Sequence, residues 1–211
     1  MSFKVLSLNV GRPENYSTDK GELRSAYRKQ PVTEPVYLSS LNFSGDEQAD
    51  KKHHGGVDQA VCLYPANHYR HFEKEYGMTF PYPSFGENIT VEGIHECDTH
   101  IGDVFTLGEA EVQVTKPRKP CYIIARTHGI DDLPARLTKT GFTGFYLRVL
   151  KEGNVSQGDV MRLKHADPAG VTVANVNDVK FNDRNNKEKI NQIIRVEALA
   201  DDLRQSLSRR L

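Results

Sequence analysis

"IGDVFTLGEAEVQVTK", residues 101–116, decides the fold class. Apolar residues alternate with polar ones on both sides of Gly108, the pattern of two half-buried strands joined by a tight turn. The next stretch, "PRKPCYII" (117–124), fixes the backbone with two prolines and places Arg118 and Lys119 beside Lys116. It then delivers Cys121 into an apolar run that reads as the start of another strand.

Working outward, "KVLSLNVG" near the N-terminus and Ala60–Tyr64 read as strands, the second of them buried. "GFTGFYLRVLKEGNVSQGDVMRL" has the same period-two alternation around glycine and reads as a second hairpin. Gly-Asp-Val recurs at 102–104 and 158–160, too short a match to claim a repeat. Helices are inserted between the strands. "PANHYRHFEKEYG" has Pro65 at its first position, an apolar face of Ala66, Tyr69, Phe72 and Tyr76, and Gly77 as stop, which leaves His68 and His71 solvated. "IDDLPARLTKTG" reads as a helix ending at Gly141. The polar "RPENYSTDKGELRSAYRK" reads as a mobile surface loop. The chain to residue 165 is therefore mainly β with inserted helices, and its spacing suits a β-barrel. From 166 to 211 the pattern changes to three short helices, the last with Leu199, Leu203 and Leu207 on one face. These are read as two domains, 1–165 and 166–211.

The 28 basic and 28 acidic residues balance, so no broad attraction to nucleic acid or an anionic membrane is expected, and any anion site is local. No apolar run approaches the roughly 20 residues of a membrane span, and the N-terminus lacks the features of a signal peptide. A cytoplasmic location is expected. Three cysteines without C-x-x-C spacing suggest neither a disulfide framework nor a zinc site. Walker, G-x-G-x-x-G and G-x-S-x-G motifs are absent from the sequence.

Among these thiols Cys121 stands out, because the cations beside it favour the thiolate that binds soft metals or attacks electrophiles. The bland alternative is a small buried hydrophobe. Cys62 in "AVCLY" and Cys97 in a polar turn lack such a setting and read as structural or incidental. "KKHHGGVD" (51–58) is either a plain glycine turn or a place where Gly55 and Gly56 let the backbone approach a ligand beside His54 and Asp58. "SFGENIT" (84–90) is either a turn or an aromatic wall, Phe85, with hydrogen-bonding groups on Glu87 and Asn88 for the edge of a heterocycle. Arg24, Arg28 and Lys29 form a solvated face or a phosphate clamp.

Taken in order, "SAYRKQPV", "GDEQADKKHHGGVDQAVCLYP", "FGENITVEG", "IGDVFTLGEAEVQVTKPRKPCY" and "GNVSQGD" closely resemble the MOSC-domain proteins, and among them the YiiM-like group. The resemblance runs over nearly the whole chain, including a three-helix tail. It implies a MOSC-like β-barrel followed by a small C-terminal three-helix domain, and a bound molybdenum cofactor. Cys121 is then implied as the molybdenum ligand and, with His54 as proton donor, as catalytic. Lys29, His53, His54, Gly55, Gly56, Asp58, Phe85, Gly86, Glu87, Asn88, Lys116 and Arg118 are implied to surround the cofactor. The implied activity is two-electron reduction of N-hydroxylated compounds such as 6-N-hydroxylaminopurine, giving resistance to toxic base analogues. Electrons would come from an external reductase, because no flavin, haem or iron–sulfur motif is present. The alternative is a carrier of the cofactor, or of persulfide sulfur on Cys121, without turnover.

Overall fold

The computed structural model describes residues 1–49 and 55–211; His53 and His54 lie outside the described residues. In chain order the strands are β1 (Ser2–Val10), β2 (Glu14–Thr18), β3 (Gly21–Ser25), β4 (Gln30–Pro31), β5 (Val36–Leu38), β6 (Val61–Pro65), β7 (Ile89–Glu92), β8 (Val104–Leu107), β9 (Ala110–Pro117), β10 (Phe145–Lys151), β11 (Gly153–Val155) and β12 (Val160–His165). The helices are α1 (Asn67–Tyr76), α2 (Tyr122–His128), α3 (Leu133–Thr140), α4 (Val173–Phe181), α5 (Lys187–Ile194) and α6 (Asp201–Ser208).

Seven strands run in the order β12-β8-β9-β10-β6-β7-β1, and pairing of β1 with β12 closes them into a barrel. Closure leaves these strands without a free edge. The β8–β9 hairpin is as expected: Leu107 pairs with Ala110, and Gly108 (φ 57°) takes the first turn position, where positive φ suits glycine. Among the described residues only β6 and β7 pair in parallel, and a parallel pair needs a long crossover. Helix α1 lies in that crossover and ends at left-handed Gly77 as expected, although Pro65 closes β6 and does not open the helix. The recurrent Gly-Asp-Val marks one turn used twice. Asp103 accepts from His100 N–H and Asp159 from Ser156 N–H, each just before a strand, and those strands, β8 and β12, pair.

Three expectations are corrected. The second run of alternation is not a hairpin: β10 pairs with β9 and β6, β12 with β1 and β8, and β11 with β5. Alternation reports a half-buried strand but not its partner, and barrel closure assigns the partners here. The expected mobile loop after β1 contains the β2–β3 hairpin, turning before Gly21 (φ 94°). Arg126 holds that hairpin from α2, donating to the carbonyls of Lys20, Gly21 and Glu22, a contact that no local pattern announces. His68 is buried, not solvated, and stacks on Phe142 with ring centroids 4.0 Å apart.

The tail shares the barrel's core. Val176 and Val179 of α4, Ile190 and Ile193 of α5, and Leu199, Leu203 and Leu207 join one apolar cluster with Val112, Val114 and Leu147 of the barrel. A second, aromatic cluster of Tyr64, Tyr69, Phe72 and Phe85 with Ile124, Leu133 and Leu137 seats α1, α2 and α3. No helix among the described residues is long and apolar enough to cross a membrane. Because Leu207 is fully buried in the shared cluster, Leu207→Ala should lower stability by about 2–5 kcal/mol. Urea unfolding should show one shifted transition; two separable transitions would mean that barrel and tail do not share a core.

Candidate functional site

Strand β9 ends at Pro117, and the 117–120 segment crosses the end of the barrel. Cys121 caps helix α2 with extended backbone (φ −118°, ψ 165°); the apolar run after it is a helix and not the expected strand. The physical reason is which residues find a core. Ile124 and Ala125, on one helical face, are buried, Tyr122 is largely exposed, and Gly129 (φ 66°) ends the helix after seven residues.

A cavity of about 260 Å³ lies between this segment, β6 and the chain before β4. Its wall includes Arg24, Lys29, Cys62, Arg118, Lys119 and Cys121. Arg118 is only 7% exposed, and its guanidinium stands 5.9 Å from the Tyr27 ring centre. Among the described residues no carboxylate pairs with it: Asp46 pairs with Lys29, Asp202 with Lys116, and Asp58 with Arg148. Burial acts against the Arg118 charge, but Cys62, Tyr27, Tyr146 and Cys121 around it hold its pKa well above the usual value. A desolvated cation without a carboxylate partner is costly, and it favours whatever anion enters the cavity.

The backbone of Arg118 is tied down by a chain of buried contacts. Arg118 N–H donates to the Gly144 carbonyl (3.0 Å), and Gly144 N–H donates to Glu96 Oε1 (2.8 Å). The other Glu96 oxygen lies 2.7 Å from His68 Nε2. Gly144 has φ 67°, and a Cβ there would stand 2.4 Å from the Leu63 carbonyl oxygen, so only glycine fits the junction. The sequence reading found none of His68, Glu96 or Gly144.

Of the expected site residues, Lys29, Gly86, Asn88, Arg118 and Cys121 meet at the cavity. Lys29 is buried in its pair with Asp46, which also accepts from Gly11 N–H (2.8 Å) and the Asn88 amide (2.9 Å). Gly86 (φ 71°) lets the Tyr27 ring lie over it; a Cβ would come within 2.7 Å of that ring. Asn88 Oδ1 accepts from Cys62 N–H (3.0 Å) and so couples the F-G-E-N turn to β6.

Other expected site residues lie away from the cavity. Phe85 is in the core, stacked on Tyr64 at 4.3 Å. Glu87 is fully buried and accepts from the Tyr69 hydroxyl, Phe85 N–H and the Thr90 hydroxyl; burial raises its pKa. Neither lines the cavity. Asp58 turns to Arg148 (2.6 Å), which also donates to the Ala198 carbonyl, and Lys116 reaches Asp202 of α6 (2.6 Å), so both contacts tie the barrel to the tail. Gly55 and Gly56 border a short turn, Val57–Gln59, of which Gln59 and not a glycine lines the cavity. Arg28 stacks over Tyr16 at 4.0 Å, leaving Arg24 as the exposed cation of that run at the cavity. Cys62, read as incidental, is on the wall. Its strand looked wholly apolar because β6 is buried on both faces, and sequence does not tell a core face from a cavity face.

Two variants test this frame. Glu96→Ala strands a buried histidine and a backbone N–H and should cost about 3–5 kcal/mol by urea unfolding, whereas Glu96→Gln, which keeps an acceptor, should lose clearly less. Equal losses would show that Gly144 does not need the acceptor. Burial lowers the pKa of His128 from 6.5, and its Nε2 faces the Ser84 carbonyl at 2.6 Å. The folded state then binds fewer protons than the unfolded one, so this contribution is full above pH 6.5 and is lost as pH falls. His128→Gln should flatten the fall in melting temperature between pH 7 and 5; an unchanged slope would refute the assignment.

Comparison with known proteins agrees with this architecture. Residues 50–162 match the model of the MOSC domain, and residues 171–211 match that of the YiiM-like, 3-alpha helix domain. The chain is 40% identical over 208 residues to the Bacillus subtilis protein YflK, covering 99% of this chain and 94% of that one. The crystal structure of YiiM from Geobacillus stearothermophilus superposes with a TM-score of 0.85 at 32% identity, covering 99% of both chains. A Gibberella moniliformis protein named reductase is 32% identical over 179 residues, which are 83% of this chain but 32% of that longer protein. The chain belongs to the MOSC-domain family and carries the YiiM-like three-helix domain.

Proposed function

We propose that the protein is a molybdenum cofactor-dependent reductase of N-hydroxylated compounds, acting in the cytoplasm to detoxify base analogues such as 6-N-hydroxylaminopurine. The observation that carries this reading is the pairing, in one cavity, of the Cys121 thiol with the Arg118 guanidinium, which has no carboxylate partner among the described residues. Family membership and the fungal relative named reductase support an oxidoreductase. The donor set fits the cofactor, since a thiolate suits molybdenum and the surplus cations Arg118, Arg24 and Lys119 suit a phosphate.

In this reading Cys121 holds the metal, Arg118 fixes the anionic part of the cofactor, and Gly86 and Asn88 border the flat ring system. The cofactor supplies the two-electron chemistry. An N-hydroxylamine takes up two electrons and two protons and yields the amine and water. The electrons come from an external reductase, and His54 is the proposed proton donor, histidine being the side chain suited to proton transfer near neutral pH. The chain positions the reacting groups, and the prolines at 117 and 120 keep Cys121 from drifting.

The test is molybdenum content and 6-N-hydroxylaminopurine reduction by protein from a cofactor-competent host. Wild type should hold about one molybdenum and turn over with a supplied donor, while Cys121→Ser loses activity and changes the metal's ligation signal. Bound molybdenum without turnover would favour the carrier reading. No molybdenum in wild type, from a host that loads another molybdoenzyme, would reject both.

A further inference from the structure

Among the described residues four tyrosines are buried, and three of their hydroxyls have acceptors: Tyr27 donates to the Ser84 carbonyl, Tyr64 to the Phe142 carbonyl and Tyr69 to Glu87. A buried phenol ordinarily finds such a partner. Tyr146 is the fourth. Among the described residues nothing accepts from its hydroxyl, and it lines the cavity that holds Cys121. The strand sets its direction. Phe145 and Leu147 on either side are fully buried in the barrel core, so Tyr146 faces the other way, in a row with its direct partners Cys62 of β6 and Lys116 of β9. Lys116 is engaged by Asp202, and the Asn88 amide at the same cavity is engaged by Asp46, the Asn9 carbonyl and Cys62 N–H. The phenol is left with an uncommitted donor. Tyr146, Arg118 and Cys121 also act on one another electrostatically, which marks them as one cluster. Burial, and then Cys62, raise the Tyr146 pKa, so the hydroxyl keeps its proton at neutral pH.

We propose that Tyr146 is a substrate-binding residue of the proposed reductase, its hydroxyl donating to the oxygen of the substrate's N-hydroxyl group and holding that oxygen on the Cys121 side of the cavity. This rests on the reductase reading and adds to it the group that recognises the oxygen. A neutral donor suits the task. Arg118 carries a full charge and has the anionic part of the cofactor to hold, whereas the oxygen of an N-hydroxyl group is uncharged and calls for a single hydrogen bond. That oxygen is also the atom by which substrate and product differ. A site built to hydrogen-bond it binds the amine product less well, because the hydroxyl then loses its partner. The same contact therefore selects the substrate and helps the product leave.

6-N-Hydroxylaminopurine and adenine, the amine its reduction gives, differ by that one oxygen, so the test compares their binding to cofactor-loaded protein by calorimetry with no electron donor present. Wild type should bind the hydroxylamine roughly 10-fold more tightly than adenine. Tyr146→Phe removes only the phenol oxygen and no contact within the described chain, so its melting temperature should hold; it should bind the two compounds alike, with adenine affinity unchanged. Tyr122→Phe, which removes the hydroxyl of the exposed tyrosine at the same cavity, should keep the preference. With a donor supplied, kcat/KM of Tyr146→Phe for the hydroxylamine should fall by a similar factor. A preference that survives in Tyr146→Phe, an equal loss for both compounds, or a wild type that binds both alike would overturn the assignment and leave the reductase reading standing. Loaded wild type that binds neither compound would overturn the reductase reading, and the assignment falls with it.

Discussion

A guanidinium buried beside thiols and phenols, with no carboxylate partner among the described residues, is the constraint on which the site depends. Burying an ion costs several kcal/mol even after relaxation, so the surroundings have to hold Arg118 against its tendency to escape to water. The protein does this through the backbone. Gly144 accepts from Arg118, Glu96 accepts from Gly144, and His68, stacked on Phe142, fixes Glu96. The contacts link β10, helix α1 and the Pro117–Pro120 segment, none of which neighbours another in sequence. The charge therefore stays directed at the cavity, and its electrostatic energy is available to a ligand and not consumed by an internal ion pair.

The same economy of carboxylates explains the tail. Asp58 and Asp202 are two acids engaged where barrel meets tail. Asp202, on α6, takes Lys116; Asp58 takes Arg148, whose guanidinium also donates to the Ala198 carbonyl (3.0 Å). Ala200 N–H reaches the Thr115 carbonyl of β9 at 3.2 Å. The three helices thus complete the barrel's core and also help decide which positive charges remain free.

Much of the fold is legible in the sequence because it is locally encoded. The β8–β9 turn at Gly108, the helix stops at Gly77 and Gly141, and the tail's Leu199, Leu203 and Leu207 all follow from spacing within a few residues. What was missed is non-local. The partners of β10 and β12 are set by closure, the β2–β3 hairpin by Arg126 from over 100 positions away, and the burial of His68 by Glu96 and Phe142. Within the site, Lys29, Gly86, Asn88, Arg118 and Cys121 were legible as motif positions. Phe85 and Glu87 lie in the core beside the cavity; a turn motif does not say which of its side chains face a ligand. Asp46, the buried partner of Lys29, was inside a quoted motif, but a carboxylate's partner is not written beside it.

The three cations around Cys121 show how short-range geometry divides one charged run into three functions. Lys116 is still in β9 and leaves on the side of the barrel that faces α6, where it meets Asp202. Arg118, two residues on, has its N–H bound to Gly144 beyond the strand's end, and its side chain turns into the cavity. Lys119 follows it onto the exposed edge of the same cavity. Pro117 and Pro120 restrict φ on both sides of Arg118 and Lys119, so these directions are not averaged by backbone motion. The stiffness around the thiol has a specific result: one cation is neutralised by the tail, one is left without a carboxylate beside the sulfur, and one stays in reach of solvent.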